Sequence, residues 1–314
     1  MIHSKCWILF LFVYIACQPQ QKYAYHKFIV GASSEITFYC RDDSLARTII
    51  KECDEELIRL HTLLNRFSDT SLVSSLNKQY RVAAPADIIE LVELCDSISH
   101  MTDGLFDISV APYMELWGYY QHEYQAPDSH SIQLLKRQVD YQKIITTEDS
   151  IFIQPFMKID FGGIAQGYAA DRVAMILRDH RIKSALINIG GEIVAIGRSP
   201  EQRRWRIGIK HPREQGIIET VEIEDHAVST SGDYEKFFVV EQKRLPHIID
   251  PTTGYPAQGF ASVTIFAKSA AFADAIATAT AIMGPEKGVK FLDSCGIQGI
   301  IYYESNGILR KMDH

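Results

Sequence analysis

The chain is predicted to fold as an α+β protein with mainly antiparallel sheets and packed helices. Three observations predict this. Extended segments follow one another in series over 184–267, whereas helical patterns come in separate blocks before and after them. A hairpin signal, Ser305-Asn306-Gly307, closes the chain. The glycine pattern is not the GxGxxG of a doubly wound dinucleotide fold.

The elements are read in chain order. Lys5 precedes an apolar run from Cys6 to Cys17 that carries no charge. The run is shorter than the roughly 20 residues a membrane-spanning helix needs, and it suits the hydrophobic region of a signal peptide. The alternation over 26–40 predicts a strand. Ser44 is placed to cap a helix with Leu45, Ile49, Cys53, Leu57, Leu60 and Leu64 on one face. Asn65–Asn77 is polar and reads as a loop. Pro85 opens a second helix with Ile88, Leu91, Leu94, Cys95, Ile98 and Met101 inside, and Gly104 stops it. Residues 119–130 read as a surface loop, and Ser131–Val139 as a short helix. Short strands at 143–147 and 151–153 precede a helix that runs from Gly163 to about His180. Strands are expected at 184–189, 192–197, 203–209, 217–223, 234–241 and 260–267. Ser269 caps a helix through Met283, Pro285 opens another, and 297–303 and 307–311 form the closing hairpin.

With 46% hydrophobic and 23% charged residues, the 314-residue chain can bury a full core. The net charge of −7 and the lack of a long basic run exclude nucleic acid as an expected partner. The six cysteines include no CxxC spacing, which leaves a zinc or thioredoxin-type site without support.

Several constellations could carry chemistry. Asp160 closes a short apolar strand, and Gly162-Gly163 then exposes bare backbone before an alanine-rich helix. Such a layout serves either a simple turn or an approach to phosphate or metal. Asp274 and Thr278 lie four apart on a helix, one turn above the other, as hard oxygen donors suited to Mg²⁺. His247 precedes the turn Asp250-Pro251-Thr252-Thr253-Gly254, whose carboxylate could orient it as a base near its ordinary pKa of about 6.5. The hydroxyls of Ser229, Thr230 and Ser231 before Gly232 form a turn or line a phosphate. Phe106 is either core or ligand-facing. The pair Gly190-Gly191 before Glu192 reads as a bulge or a close backbone approach.

Taken in order, the segments SLVSSLN (71–77), DGLFDISVAPYMELWGY (103–119), DFGGIAQGYAAD (160–171), LINIGGEIVAIG (186–197), VSTSGDY (228–234), HIIDPTTGYP (247–256) and SVTIFAKSAAFADAIATATAIMG (262–284) resemble one family. It is that of the ApbE-type FAD:protein FMN transferases, once described as thiamine-biosynthesis lipoproteins. The resemblance implies an ApbE-like, T-fold-like domain over 26–314. It implies a Mg²⁺-dependent enzyme that splits FAD, joins FMN through a phosphoester to a Thr or Ser of an exported flavoprotein, and releases AMP. By matching position, Gly163 (through its carbonyl), Asp274 and Thr278 would hold Mg²⁺. Val30, Phe67, Leu105, Phe106, Asp107, Asp160, Gln166 and Ile248 would contact FAD, and His247 would be the residue required for transfer. Gln166 stands where members often carry Lys or Glu, and Phe67 where several carry Tyr. Two other readings of the same residues are a Mg²⁺-dependent FAD pyrophosphatase and a flavin-binding lipoprotein without turnover.

The N-terminus fits the same resemblance. Tyr14-Ile15-Ala16-Cys17 resembles a bacterial lipoprotein cleavage site, although Tyr14 stands where such sites prefer leucine. Residues 1–16 would be the signal peptide, Cys17 the lipidated residue, and 17–25 a tether. The expected location is the bacterial cell envelope, anchored to a membrane and facing the periplasm or the exterior.

Overall fold

The structure, a computed structural model, describes residues 20–240 and 242–314. The expected signal peptide and Cys17 lie outside the described residues. Strand β1 (Gln21–Ile29) turns at Val30-Gly31 into β2 (Ala32–Cys40), and the two pair antiparallel. The one strand expected at 26–40 is therefore half of a hairpin, and residues 21–25 of the expected tether belong to its first strand. Both turn residues have positive φ, 56° at Val30 and 75° at Gly31, as a two-residue hairpin turn requires. A β-branched residue is unusual there, which hid the turn from the sequence and marks Val30 as strained.

Helix α1 (Asp43–Leu64) is capped by Asp42, whose carboxylate accepts the Ser44 and Leu45 N–H groups. Its face of Ile49, Cys53, Leu57, Leu60 and Leu64 is buried as expected. The segment expected to be a loop holds α2 (Leu72–Gln79), started by Ser71, which accepts the Ser74 N–H at 3.0 Å. β3 (Arg81–Ala83) and α3 (Ala86–Met101) follow. Met101, expected inside, is 45% exposed because the helix ends there. Next come α4 (Ala111–Leu116), α5 (Ser129–Leu135), β4 (Ile145–Thr146), β5 (Ser150–Phe152) and α6 (Ala165–Asp179).

The strand series contains β6 (Ser184–Ile189), β7 (Glu192–Gly197), β8 (Trp205–Lys210), β9 (Ile217–Ile223), β10 (Ala227–Gly232), β11 (Phe237–Val240), β12 (Lys243–Pro246) and β13 (Ser262–Ala267). β10 occupies the hydroxyl-rich segment read as either a turn or a phosphate lining. The expected strand 234–241 contains β11, which hairpins onto β12. α7 (Ala270–Met283) starts at the predicted Ser269 cap, α8 (Pro285–Cys295) at the predicted proline, and β14 (Gly299–Ser305) pairs with β15 (Ile308–Asp313).

Eight strands form the main sheet in the order β1-β2-β6-β7-β10-β13-β14-β15, with every neighbouring pair antiparallel. α6 and α7 pack over its central strands, and α1 packs on α6. The other face carries the β8–β9 hairpin, where Ile207 and Ile223 meet Ala195 and Val228. The alanines of α7 allow a very close approach to α6. A Cβ placed on Gly167 would lie 2.4 Å from the Ala270 carbonyl oxygen. Asp171 of α6 locks this pair, since it accepts the Ala270 and Ala271 N–H groups at 2.8 and 2.9 Å and the Ser269 hydroxyl at 2.7 Å. The start of α6 and the middle of α7 are thus held in fixed relation, and that relation builds the site.

Candidate active site

A cavity of about 730 Å³ opens at the start of α6, and the residues expected to hold Mg²⁺, contact FAD or support transfer all line it, whereas Ser229 and Asp250 do not. Val30, Phe67, Leu105, Phe106, Asp107, Asp160, Gln166 and Ile248 are on its wall, with Gly163, Asp274, Thr278 and His247. The volume lies within the range of small-molecule and cofactor sites.

The oxygen-donor corner is made by α6, α7 and β10. Asp274 is only 7% exposed, and its Oδ2 accepts the Gly167 N–H at 3.3 Å. Thr278, one helical turn on, lies 3.4 Å from the Ser231 hydroxyl. Gly163 adjoins it: a Cβ at that position would sit 3.5 Å from both Thr278 Oγ1 and Phe106 Cε2. Glu192, at the start of β7, joins this wall, 6% exposed and with Oε2 lacking a hydrogen-bond partner among the described residues. Burial, followed by the field of Asp274, pushes the Glu192 carboxyl well up; burial likewise pushes Asp274 up. Two neighbouring buried carboxyl groups, each held back from ionising, would ionise more readily beside a positive charge. Mg²⁺ suits such a corner because it takes few protein oxygens and keeps waters. No group of three or more His, Cys, Asp and Glu side chains arranged to hold a metal occurs among the described residues. The expected set depends instead on one carboxylate, one hydroxyl and one backbone carbonyl.

His247 follows β12 and is held by one carbonyl. Its N–H donates to Lys236 O at 2.9 Å, and its Nδ1 lies 3.1 Å from the same oxygen. Nδ1 therefore carries the ring proton, and Nε2 is left as a lone-pair acceptor. Burial, followed by the charge of Lys236, lowers the imidazole pKa to about 4. This corrects two expectations. The ring does not sit near 6.5, and Asp250 does not orient it. The Asp250 carboxylate is taken up by Thr252, accepting its N–H at 2.8 Å and its hydroxyl at 2.7 Å.

The remaining wall is aromatic and amide-rich. Phe67 stands at the rim, 69% exposed, edge-on to the Tyr120 ring at 5.8 Å. Phe106 is buried against Gly163, which answers the question left open for it: it is core and faces the site at once. The Asp107 carboxylate accepts the Ser109 and Tyr141 N–H groups at 2.7 and 3.0 Å, so it serves the local fold. Burial pushes that carboxyl up to about 6. Gln166 reaches the strained turn, its Nε2 3.5 Å from Val30 O. Asp160 Oδ1 accepts the Gly162 N–H at 2.9 Å, and its Oδ2 accepts the Tyr120 hydroxyl at 2.5 Å. Arg66, Tyr120 and Glu192 were not singled out from the sequence. Only the acidic residue directly after Gly190-Gly191 carried a signal.

These features define a class: an α+β protein with a nucleotide-sized cleft, in which a buried oxygen-donor corner and a neutral imidazole share one space. The chain belongs to the ApbE family, whose sequence model matches residues 30–301. It is 30% identical over 282 residues to a FAD:protein FMN transferase of Klebsiella pneumoniae, covering 85% of this chain and 84% of that one. It is 33% identical over 249 residues to the Escherichia coli K12 protein of the same name, covering 75% and 69%. The crystal structure of the flavinyl transferase ApbE of Pseudomonas stutzeri, in its apo form, superposes with a TM-score of 0.87 at 28% identity, covering 94% and 95%.

Proposed function

We propose that this chain is a Mg²⁺-dependent FAD:protein FMN transferase, which joins FMN to a Thr or Ser hydroxyl of an exported flavoprotein and releases AMP. The observation that carries this reading is the meeting of a neutral His247 with buried Asp274 and neighbouring Thr278 in one cavity. Family membership and the names of the relatives support the FAD-to-protein transfer itself.

The chemistry asks for positioning and charge neutralisation more than for covalent participation by the protein. Asp274, Thr278 and the Gly163 carbonyl would hold Mg²⁺, which when bound would offset negative charge on the pyrophosphate. His247 Nε2 accepts the proton of the acceptor hydroxyl. The hydroxyl oxygen forms a bond to the FMN phosphorus, and the bond from that phosphorus to the AMP phosphate breaks. Being neutral at pH 7, the imidazole is ready for that proton. Phe67 and Phe106 supply apolar surface for an aromatic ring, and Asp160 an acceptor for a donor group of FAD.

Incubation of the chain with FAD, Mg²⁺ and a candidate acceptor domain tests the proposal. Flavin fluorescence on the denatured acceptor is expected. AMP without a labelled acceptor would point to the pyrophosphatase, and neither product to a flavin carrier.

We also propose attachment to a membrane of the bacterial envelope through Cys17. Strand β1 begins at Gln21, so a lipid there would hold the β1 edge of the sheet close to the bilayer. The mass of the mature N-terminus decides this: a chain that starts elsewhere than Cys17, or carries no acyl groups, would rule it out.

A further inference from the structure

Arg66 follows α1 and lines the cavity, yet its bonding is incomplete. Its Nη2 donates to Glu115 Oε1 at 3.1 Å, while Nε and Nη1 are buried without hydrogen-bond partners among the described residues. The guanidinium carbon lies 3.3 Å from the centre of the Tyr120 ring, a flat stacking contact. Nη1 is 3.8 Å from Asp160 Oδ2, the same oxygen that accepts the Tyr120 hydroxyl at 2.5 Å. A buried guanidinium that leaves two donors unmade contributes poorly to stability. A planar group stacked on a ring is well suited to fixing that ring. The result is a chain of contacts: Arg66 on Tyr120, Tyr120 on Asp160, and Asp160 on the Gly162 N–H beside Gly163.

We infer that Arg66 and Tyr120 are positioning residues for FAD. Arg66 fixes the ring of Tyr120 by stacking, and the Tyr120 hydroxyl fixes the Asp160 carboxylate so that its unused lone pairs face a donor group of the bound dinucleotide. The inference rests on the proposed function, in which Asp160 contacts FAD. Glu115 lies outside the cavity lining, and among the described residues its carboxylate accepts from Arg66 and Lys158.

Tyr120→Phe tests this because it keeps the ring under Arg66 and removes only the hydroxyl. The expected result is a rise of about tenfold in the KM for FAD with kcat within about twofold, since one hydrogen bond to a carboxylate is worth about that factor. Flavin fluorescence quenching should show the same loss in Kd. Asp160→Asn, alone and combined with Tyr120→Phe, separates positioning from general support of the fold. If Tyr120 acts through Asp160, the double variant binds FAD no more weakly than Asp160→Asn alone. Arg66→Lys, which keeps the charge and loses the flat stack, should reproduce the KM effect. An unchanged KM in Tyr120→Phe, or additive losses in the double variant, would overturn the inference. A wild-type chain that binds FAD but labels no acceptor would instead overturn the functional reading, and the Kd series would still decide the role of Tyr120.

Discussion

Replacing Asp274 by Asn should make the metal-free protein more stable while abolishing its response to Mg²⁺. Asp274 is buried, shares the cavity wall with buried Glu192, and among the described residues accepts one N–H, that of Gly167 at 3.3 Å. Burial raises its pKa in the folded chain above the unfolded value of about 3.9. The sign follows from linkage. The folded protein holds the proton more tightly, so this group's contribution is fully present below pH 3.9. It is lost as pH rises through the raised folded value. Each tenfold difference in proton affinity is worth about 1.4 kcal/mol. Asn removes that titration and keeps the shape, so a gain of at least about 1.4 kcal/mol is expected near pH 8 in EDTA. For a chain of this size that is roughly 3 °C in Tm. Added Mg²⁺ at about 100 times its Kd should return about 2.7 kcal/mol to the wild type and nothing to the variant. Thermal melts of both proteins, with EDTA and with Mg²⁺, read these shifts. A variant that melts below the wild type in EDTA, or a wild type indifferent to Mg²⁺, would refute the electrostatic argument for the corner.

Three further outcomes are expected. His247→Gln should abolish transfer and leave FAD binding within about twofold. In the wild type at saturating Mg²⁺, the acid limb belonging to His247 should fall near pH 4, because burial holds the imidazole neutral above that; a limb centred near pH 6.5 would show the ring to be solvated. Gly167→Ala drives a Cβ to 2.4 Å from the Ala270 carbonyl oxygen and should cost about 3 kcal/mol or prevent folding, as denaturant titration would reveal. Trp117→Phe deletes the 2.8 Å bond from Nε1 to the Gly254 carbonyl and leaves that acceptor buried, a loss of about 1–3 kcal/mol in urea unfolding. A change below about 0.5 kcal/mol would mean the turn after His247 does not depend on it.

Legibility in the sequence followed the range of the interactions. The apolar face of α1, the Ser269 cap and the Pro285 start are local, and each forms where it was read. The β1–β2 turn was not visible, because Val30 is among the residues least suited to positive φ. β10 was hidden by its hydroxyls: Ser229 is buried, Thr230 pairs across strands with Thr264 at 2.9 Å, and Ser231 meets Thr278 of α7 at 3.4 Å. α2 has a short buried face of Leu72, Val73 and Leu76 inside a polar segment. For the site, Asp274 and Thr278 were readable because four residues make one helical turn. Gly163, His247 and the FAD-facing candidates came from the order of motifs along the chain. The orientation of the Asp107 carboxylate depends on Tyr141, and the lowered pKa of His247 on its burial and then on the charge of Lys236, none of which a local pattern foretells. The same holds for Tyr120, which meets Asp160 only in the folded chain.

The strand order has a consequence for how the molecule comes into being. β2 pairs with β6, bringing Ile36 opposite Ile187, and the first and last strands end up on opposite edges of the sheet. Closing such long loops delays the contacts that reward them, so folding is expected to be slow for the chain's size. The cavity wall runs from Val30 to Ile282, and the helix that carries Asp274 is capped from α6 by Asp171. A product of interrupted synthesis that ends before α7 would lack the oxygen-donor corner of Asp274 and Thr278 and leave the Asp171 carboxylate without the N–H groups it accepts. Truncated chains should therefore lack transfer activity.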